Sequence, residues 1–282
     1  MNPSPPQVRD QPDSTLLLSA PWSRLDYYER VDSTQTLAAR RAATGEPLWG
    51  RVLWAERQTA GRGRRSRAWV SALGGLYVTL GLPHAMDWPP RRLGWLPLTA
   101  ALSCVETLAD LFGVDARVKW PNDVYLEGAK LGGFLGEVLT PPAGAGRPAS
   151  AGDLYLMGMG LNWLNDLSIL DGDGVPATHL GEHVSSLTLG DRETFLHQWL
   201  DRLARHQAGM IANHEAAIRE LTAQVEAILW CRGRRVELEE TEQGRQEGVL
   251  LGLGPDATAR IERPDGSVVD VHCGRQAPGE NE

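Results

Sequence analysis

The chain has 282 residues, of which 42% are hydrophobic and 23% charged, and a formal net charge of −8. That length suits one large domain and a small one, and the acidic balance argues against general nucleic-acid binding, which needs a basic face. Cys104, Cys231 and Cys273 have no close spacing and read as reduced thiols of a cytoplasmic protein, not as a disulfide frame or a metal site.

No stretch reaches the roughly 20 apolar residues of a bilayer span, and Met1-Asn2-Pro3-Ser4-Pro5-Pro6 lacks the pattern of a secretory signal. Residues 1–22 are rich in Pro, Ser and Asp and read as a flexible arm, too short for a helix-turn-helix module. Leu25 to Val31 reads as a first strand. Asp32-Ser33-Thr34-Gln35 then opens a helix, with Asp32 able to cap and Gln35 placed as in a capping box. Ser33 and Thr34 are either caps or hydroxyl ligands at a strand-to-helix junction.

Val52 to Ala55 and Gly75 to Leu80 read as strands on either side of a basic loop. From Arg57 to Arg67 that loop carries five arginines and no acid, with Gly61 and Gly63 between them. Glycine permits close backbone approach, and arginine forks bind phosphate oxygens in pairs. The loop is thus a candidate phosphate cradle, and a solvated hairpin tip is the alternative. Arg92 to Phe112 has helical apolar spacing that puts Cys104 on the core face.

Arg117-Val118-Lys119-Trp120 is a short strand and Pro121-Asn122-Asp123 interrupts it. Val124 to Leu126 resumes, and Lys130 to Leu139 returns after the Glu127-Gly128 turn. Lys130 is either an edge charge or a ligand contact. Gly132-Gly133 inside the apolar strand marks close approach of a ligand or another backbone. Thr140 to Gly152 reads as a loop, Leu154 to Asn162 as a strand and Asn165 to Gly181 as a loop. Two or more helices follow, carrying His197, His206 and His214 without metal-ligand spacing. From Gly233 the period changes to two, with turns at Gly244, Gly254-Pro255-Asp256 and Pro264-Asp265-Gly266, as in a small SH3-like barrel. Residues 276–282 read as a disordered tail. No Walker A run, dinucleotide fingerprint, Ser-His-Asp set or zinc pattern is present.

Four runs stand in one order: Asp32-Ser33-Thr34-Gln35; Gln58 to Trp69 with Gly61-Arg62-Gly63-Arg64-Arg65-Ser66-Arg67; Lys119-Trp120-Pro121-Asn122-Asp123 with Lys130-Leu131-Gly132-Gly133; and Gly158-Met159-Gly160-Leu161-Asn162. Together they resemble the biotin protein ligases, in the monofunctional form without a DNA-binding domain. The resemblance implies an α+β fold of the class II synthetase-like, biotin/lipoate-ligase kind, a mixed sheet with helices. A catalytic domain would span 23–230, an SH3-like barrel 231–275 and a tail 276–282.

The resemblance also implies ATP-dependent activation of biotin to biotinyl-5′-AMP, then transfer to a lysine of the biotin carboxyl carrier protein of acetyl-CoA carboxylase. Mg²⁺ arrives with ATP and no direct metal ligand is expected. Carried over residue by residue, Lys130, Arg64 and Asp123 are the catalytic candidates. Ser33, Thr34, Gln35, Gln58, Arg62, Gly63, Arg64, Lys130, Gly132 and Gly133 fall to biotin. Arg65, Arg67, Trp69, Asn122 and Asn162 fall to ATP and its phosphates. The arginine loop is expected to order over the ligand and shield the adenylate from water. No DNA or membrane partner is expected. Homologous ligases dimerise edge to edge, and Arg117 to Trp120 offers such an edge. A lipoate–protein ligase of the same superfamily and a non-enzymatic biotin-binding protein are the alternatives.

Overall fold

The computed structural model describes residues 18, 20–83, 90–140, 153–168, 175–240, 244–272 and 275–276. All but Thr140 of the loop expected over Thr140 to Gly152, most of the N-terminal arm and the last six residues lie outside these. In chain order the elements are β1 (Arg24–Tyr28), α1 (Thr34–Ala43), β2 (Arg51–Ala55), β3 (Leu76–Pro83), α2 (Trp95–Phe112), β4 (Arg117–Lys119), β5 (Asp123–Leu126), β6 (Ala129–Leu139), β7 (Leu154–Leu161), α3 (Asp191–Ala212), α4 (His214–Ala227), β8 (Arg235–Glu240), β9 (Gly244–Leu253), β10 (Ala259–Glu262), β11 (Val268–Val271) and β12 (Arg275–Gln276). They form two compact units, one from residues 1–87 and 131–204, the other from 88–130 and 205–282.

In the first unit the strands run in the order β1-β2-β3-β7-β6. β1 and β2 pair in parallel, while β2–β3, β3–β7 and β7–β6 are antiparallel. This is the mixed sheet expected. Val52, Leu53, Trp54 and Ala55 are all buried, so β2 reads as an unbroken apolar run covered on both faces. Leu37, Ala38 and Ala42 of α1 pack with Tyr28, Val31, Leu48, Leu53 and Leu156. A Cβ on Gly81 would stand 1.8 Å from the Leu48 carbonyl oxygen, so the chain leaving α1 crosses β3 only because that residue is glycine.

The cap of α1 is one of the alternatives the sequence offers. Ser33, not Asp32, is the N-cap, and its Oγ accepts from the Thr36 N–H. Gln35 does not reach back to complete a capping box; its amide turns into the sheet, where larger polar demands are met.

In the second unit α2 is buried along most of its length. Contrary to the sequence reading, Pro90–Phe112 is by length and composition apolar enough to cross a membrane, yet 67% of that window is buried inside the protein, as in a core helix. Cys104 lies fully buried on it, and burial pushes its thiol far above the usual range. Native protein is therefore expected to leave Cys104 unmodified by iodoacetamide at neutral pH, with peptide mapping finding it labelled only after denaturation. Labelling of Cys104 at the rate of an exposed thiol would contradict this.

β4 and β5 pair antiparallel, as expected. On the other side of β4, Val118 N–H donates to the Ile228 carbonyl at 3.0 Å and the Val118 carbonyl accepts from Trp230 N–H at 2.8 Å. The edge that a dimer would pair through is engaged at Val118 by the chain itself. The C-terminal strands form an antiparallel sheet ordered β11-β10-β9-β8-β12, consistent with an SH3-like domain. Two boundaries shift: Gly244 opens β9 instead of forming the turn, and Ala257 sits in the turn before β10 with φ 60°. That turn is held firmly within its unit. Trp95 Nε1 donates to the Pro255 carbonyl and Trp120 Nε1 to the Ala257 carbonyl, both at 2.8 Å. Arg91 and Arg92 both pair with Asp256.

Candidate active site

The basic loop is a narrow hairpin. Trp69 N–H donates to the Gly61 carbonyl at 2.9 Å, Gly63 N–H to the Arg67 carbonyl at 2.8 Å, and Arg62 faces Ala68 across an antiparallel bridge. At its tip Arg65 and Ser66 adopt φ of 53° and 60°. Left-handed backbone costs a non-glycine residue roughly 1–2 kcal/mol, so the tip is a strained presentation of charge. Arg62, Arg65 and Arg67 are exposed and Arg64 is half-buried. Gly61 has no room for a side chain: a Cβ there would stand 2.4 Å from the Trp69 carbonyl oxygen and 2.5 Å from Ser71 Oγ.

Gln58, at the entry to the loop, is fixed at both ends of its amide. Its Oε1 accepts from Thr34 N–H at 2.8 Å and from Thr34 Oγ1 at 3.2 Å, while its Nε2 donates to Ser71 Oγ at 2.7 Å. Ser71 Oγ in turn donates to the Trp69 carbonyl at 3.2 Å, back on the loop. Thr79 Oγ1 lies 2.9 Å from Thr34 Oγ1 and 3.2 Å from Gln35 Oε1, sharing one hydroxyl proton between them. Gln35 Nε2 donates to Glu137 Oε2 at 2.9 Å, and Glu137 holds Arg62 through Nη2 at 2.7 Å and Nη1 at 3.3 Å. A hydrogen-bonded ring therefore leaves the arginine loop at Arg62, passes through Glu137, Gln35, Thr79, Thr34, Gln58 and Ser71, and returns at Trp69.

The first unit thus brings together Ser33, Thr34, Gln35, Gln58, Arg62 and Trp69. Arg64 acts on the same sheet: burial raises the Tyr155 phenol well above its usual range, and the charge of Arg64 opposes that rise. Gly160 matters by absence. A Cβ there would lie 2.6 Å from the Trp69 indole, so the glycine on β7 is the seat of that ring. Gly132 faces backbone, since its Cβ would stand 2.8 Å from the Gly160 carbonyl oxygen, and Gly133 pairs with Gly160. Asn162 is buried. Its Nδ2 donates to the Thr178 carbonyl at 3.1 Å and its Oδ1 accepts from Asn165 Nδ2 at 3.2 Å, so this amide fixes the turn after β7.

The second unit carries the other set. Lys130 Nζ lies 2.8 Å from Asp123 Oδ1, an ion pair about three-quarters shielded from water on each side. Asn122 is buried beside Asp123 in the chain, and Lys119, also buried, donates to Tyr125 OH at 3.1 Å and lies 4.4 Å from the centre of that ring. Among the described residues no group of three or more His, Cys, Asp or Glu side chains is placed to hold a metal ion.

Sequence reasoning passed over Glu137, Thr79 and Ser71. The signal for Glu137 was present: it is the one acid in the apolar run from Lys130 to Leu139. Thr79 and Ser71 gave none, being small polar residues in or beside a strand.

Residues 27–143 match the biotin/lipoate A/B protein ligase family. The biotin–[acetyl-CoA-carboxylase] ligase of Mycobacterium tuberculosis is 32% identical over 205 residues, covering 69% of this chain and 72% of that protein. The enzyme of the same description from Paracoccus denitrificans is 32% identical over 247 residues, covering 85% of this chain and 95% of that one. Among solved structures, the biotin protein ligase of Aquifex aeolicus in complex with biotin and ATP superposes with a TM-score of 0.73 at 28% identity, over 91% of this chain and 98% of that one. With these relatives matched over most of their length, the chain belongs to the biotin/lipoate A/B protein ligase family and, within it, to the biotin protein ligases.

Proposed function

We propose that the chain is a biotin–[acetyl-CoA-carboxylase] ligase acting in the cytoplasm. A biotin carboxylate oxygen attacks the α-phosphorus of ATP, the bond to the leaving pyrophosphate breaks, and biotinyl-5′-AMP forms. A lysine amine of the biotin carboxyl carrier protein then attacks the anhydride carbonyl, AMP leaves, and the amine loses its proton. The single observation that carries this reading is the ring joining Gln58 and the start of α1 to the arginine loop, because it links a cluster of amides and hydroxyls to a row of cations.

The roles follow from chemistry. The ureido head of biotin offers donors and acceptors, which Ser33, Thr34, Gln35 and Gln58 complement. A carboxylate approaching a polyphosphate meets like charge. Arg62, Arg64 and Lys130 offset it, and fixed cations stabilise the charge that grows on pyrophosphate in the transition state. Arg65 and Arg67, at and beside the strained tip, suit the phosphates, with Mg²⁺ arriving on ATP. Trp69, Asn122 and Asn162 belong to the nucleotide side, Asn162 by fixing the turn after β7. Gly63, Gly132 and Gly133 give the backbone room. Asp123 orients Lys130. Residues 23–230 form the catalytic part and 231–275 the small C-terminal part.

Exchange of labelled pyrophosphate into ATP, with Mg²⁺ present, tests the reading. Exchange that requires biotin is expected. Exchange driven by lipoate instead would assign the other branch of the family, and none with either acid would leave a binding protein.

A further inference from the structure

We propose that Glu137 is a positioning residue of the biotin site, a clasp that fastens the arginine loop to β6 by holding Arg62. The proposal rests on the ligase reading above and assigns a residue which that reading leaves without a task. Glu137 sits on a strand paired with β7 along its length, opposite Leu156, so its backbone is fixed. Its carboxylate meets the Arg62 guanidinium fork at both oxygens, the strongest geometry available to a charged pair.

The carboxylate is itself aimed. Gln35 is 3% exposed, and its carbonyl end faces Thr79, which is fully buried. That leaves its NH₂ end directed at Glu137. The carbonyl end also lies close over β7: a Cβ on Gly158 would stand 2.8 Å from Gln35 Oε1, so the glycine is what leaves room for this amide. Rigid strand, buried amide, carboxylate and guanidinium therefore form one chain of fixed parts ending on a loop that is otherwise largely exposed. Glu137 also removes one positive charge from a segment that has no acid of its own. The clasped arginine sets the path of the hairpin, and Arg64 and the tip arginines are presented from it. An anionic substrate then meets cations already in position, which lowers the ordering cost of binding.

Glu137→Gln keeps the shape and removes the charge. Steady-state exchange constants and the rate of tryptic cleavage within residues 61–69 are the readouts. Loss of a charged fork that is partly exposed is expected to raise KM for biotin roughly 5- to 20-fold. The kcat should stay within about two-fold, and the loop should be cut several-fold faster. Glu137→Asp, which restores the charge, should recover most of the trypsin resistance. A biotin KM in Glu137→Gln equal to that of the parent overturns the proposal, as does an Asp variant no better than the Gln variant. A fall in kcat at constant KM would place Glu137 in the chemistry instead and also overturns it. Absence of biotin-dependent exchange in the unaltered protein would remove the ligase reading itself, a result distinct from any of these.

Discussion

Lys130→Met is expected to slow biotin-dependent pyrophosphate exchange by about 10²–10³-fold, with the circular dichroism spectrum unchanged. The magnitude is that of removing one preorganised donor from a transition state that gathers negative charge. Lys130 lies at the start of β6 and its ammonium is held 2.8 Å from Asp123 Oδ1, so its position is set before any ligand arrives. Methionine keeps the unbranched stem and deletes the charge, which separates electrostatics from packing. The loss should fall on kcat more than on KM for biotin, because a cation facing a growing charge gains most in the transition state. Lys130→Arg should retain part of the rate: it keeps the charge but spreads it over a planar fork too wide for one point contact. An exchange rate for Lys130→Met within two-fold of the parent would take Lys130 out of the first step.

The second large effect concerns stability. Arg192 begins α3 and reaches across to the sheet, where it forms a two-pronged pair with Glu56 at 2.9 Å on each prong. It also donates to the Gly75 carbonyl at 2.9 Å and the Leu189 carbonyl at 3.0 Å, and its guanidinium lies over the Trp54 ring. The side chains of Arg192 and Glu56 are only 7% and 14% exposed. Tyr27, whose phenol burial and Glu56 push upward, donates to the same carboxylate. Arg192→Met leaves that carboxylate buried without its cation and is expected to cost about 3–5 kcal/mol of folding stability. The denaturation midpoint in urea reads the loss. Adding Glu56→Gln to the same chain should recover much of it, since the uncompensated charge is what costs most. A single variant with an unchanged midpoint would show that the pair contributes nothing net.

Both predictions rest on residues of very different legibility. Lys130 was readable because its run, with Trp120 and Gly132, is compact in sequence and carries unusual residue types. The arginine loop was readable for the same reason. Arg192 gave no signal, because its partner lies 136 positions away and a lone Arg at a helix start looks like surface. Gln35 was misassigned to a capping box for a related reason. The local offer from α1 is weak, and the acid that claims its amide is 102 residues distant. The strands and helices themselves were legible from periodicity, and boundaries moved mainly where a turn residue carries positive φ, as at Ala257. The division into two units was not legible at all. It breaks the chain between Asp87 and Trp88, inside β6 between Lys130 and Leu131, and inside α3 between Ala204 and Arg205, and the last two breaks cut single elements.

That division sets an order of events during synthesis. The first unit draws on nothing beyond residue 204, whereas the second combines residues 88–130 with everything from 205 onward. A chain leaving the ribosome from its N-terminus, at about 5–20 residues per second, therefore completes the arginine loop, its Glu137 clasp and the Arg192–Glu56 pair first. Trp95 and Trp120 must wait, their acceptor carbonyls at Pro255 and Ala257 still unmade. A ribosome stalled before that turn would hold a nascent chain whose arginine-loop unit is finished while Lys130 belongs to a unit that has not yet closed.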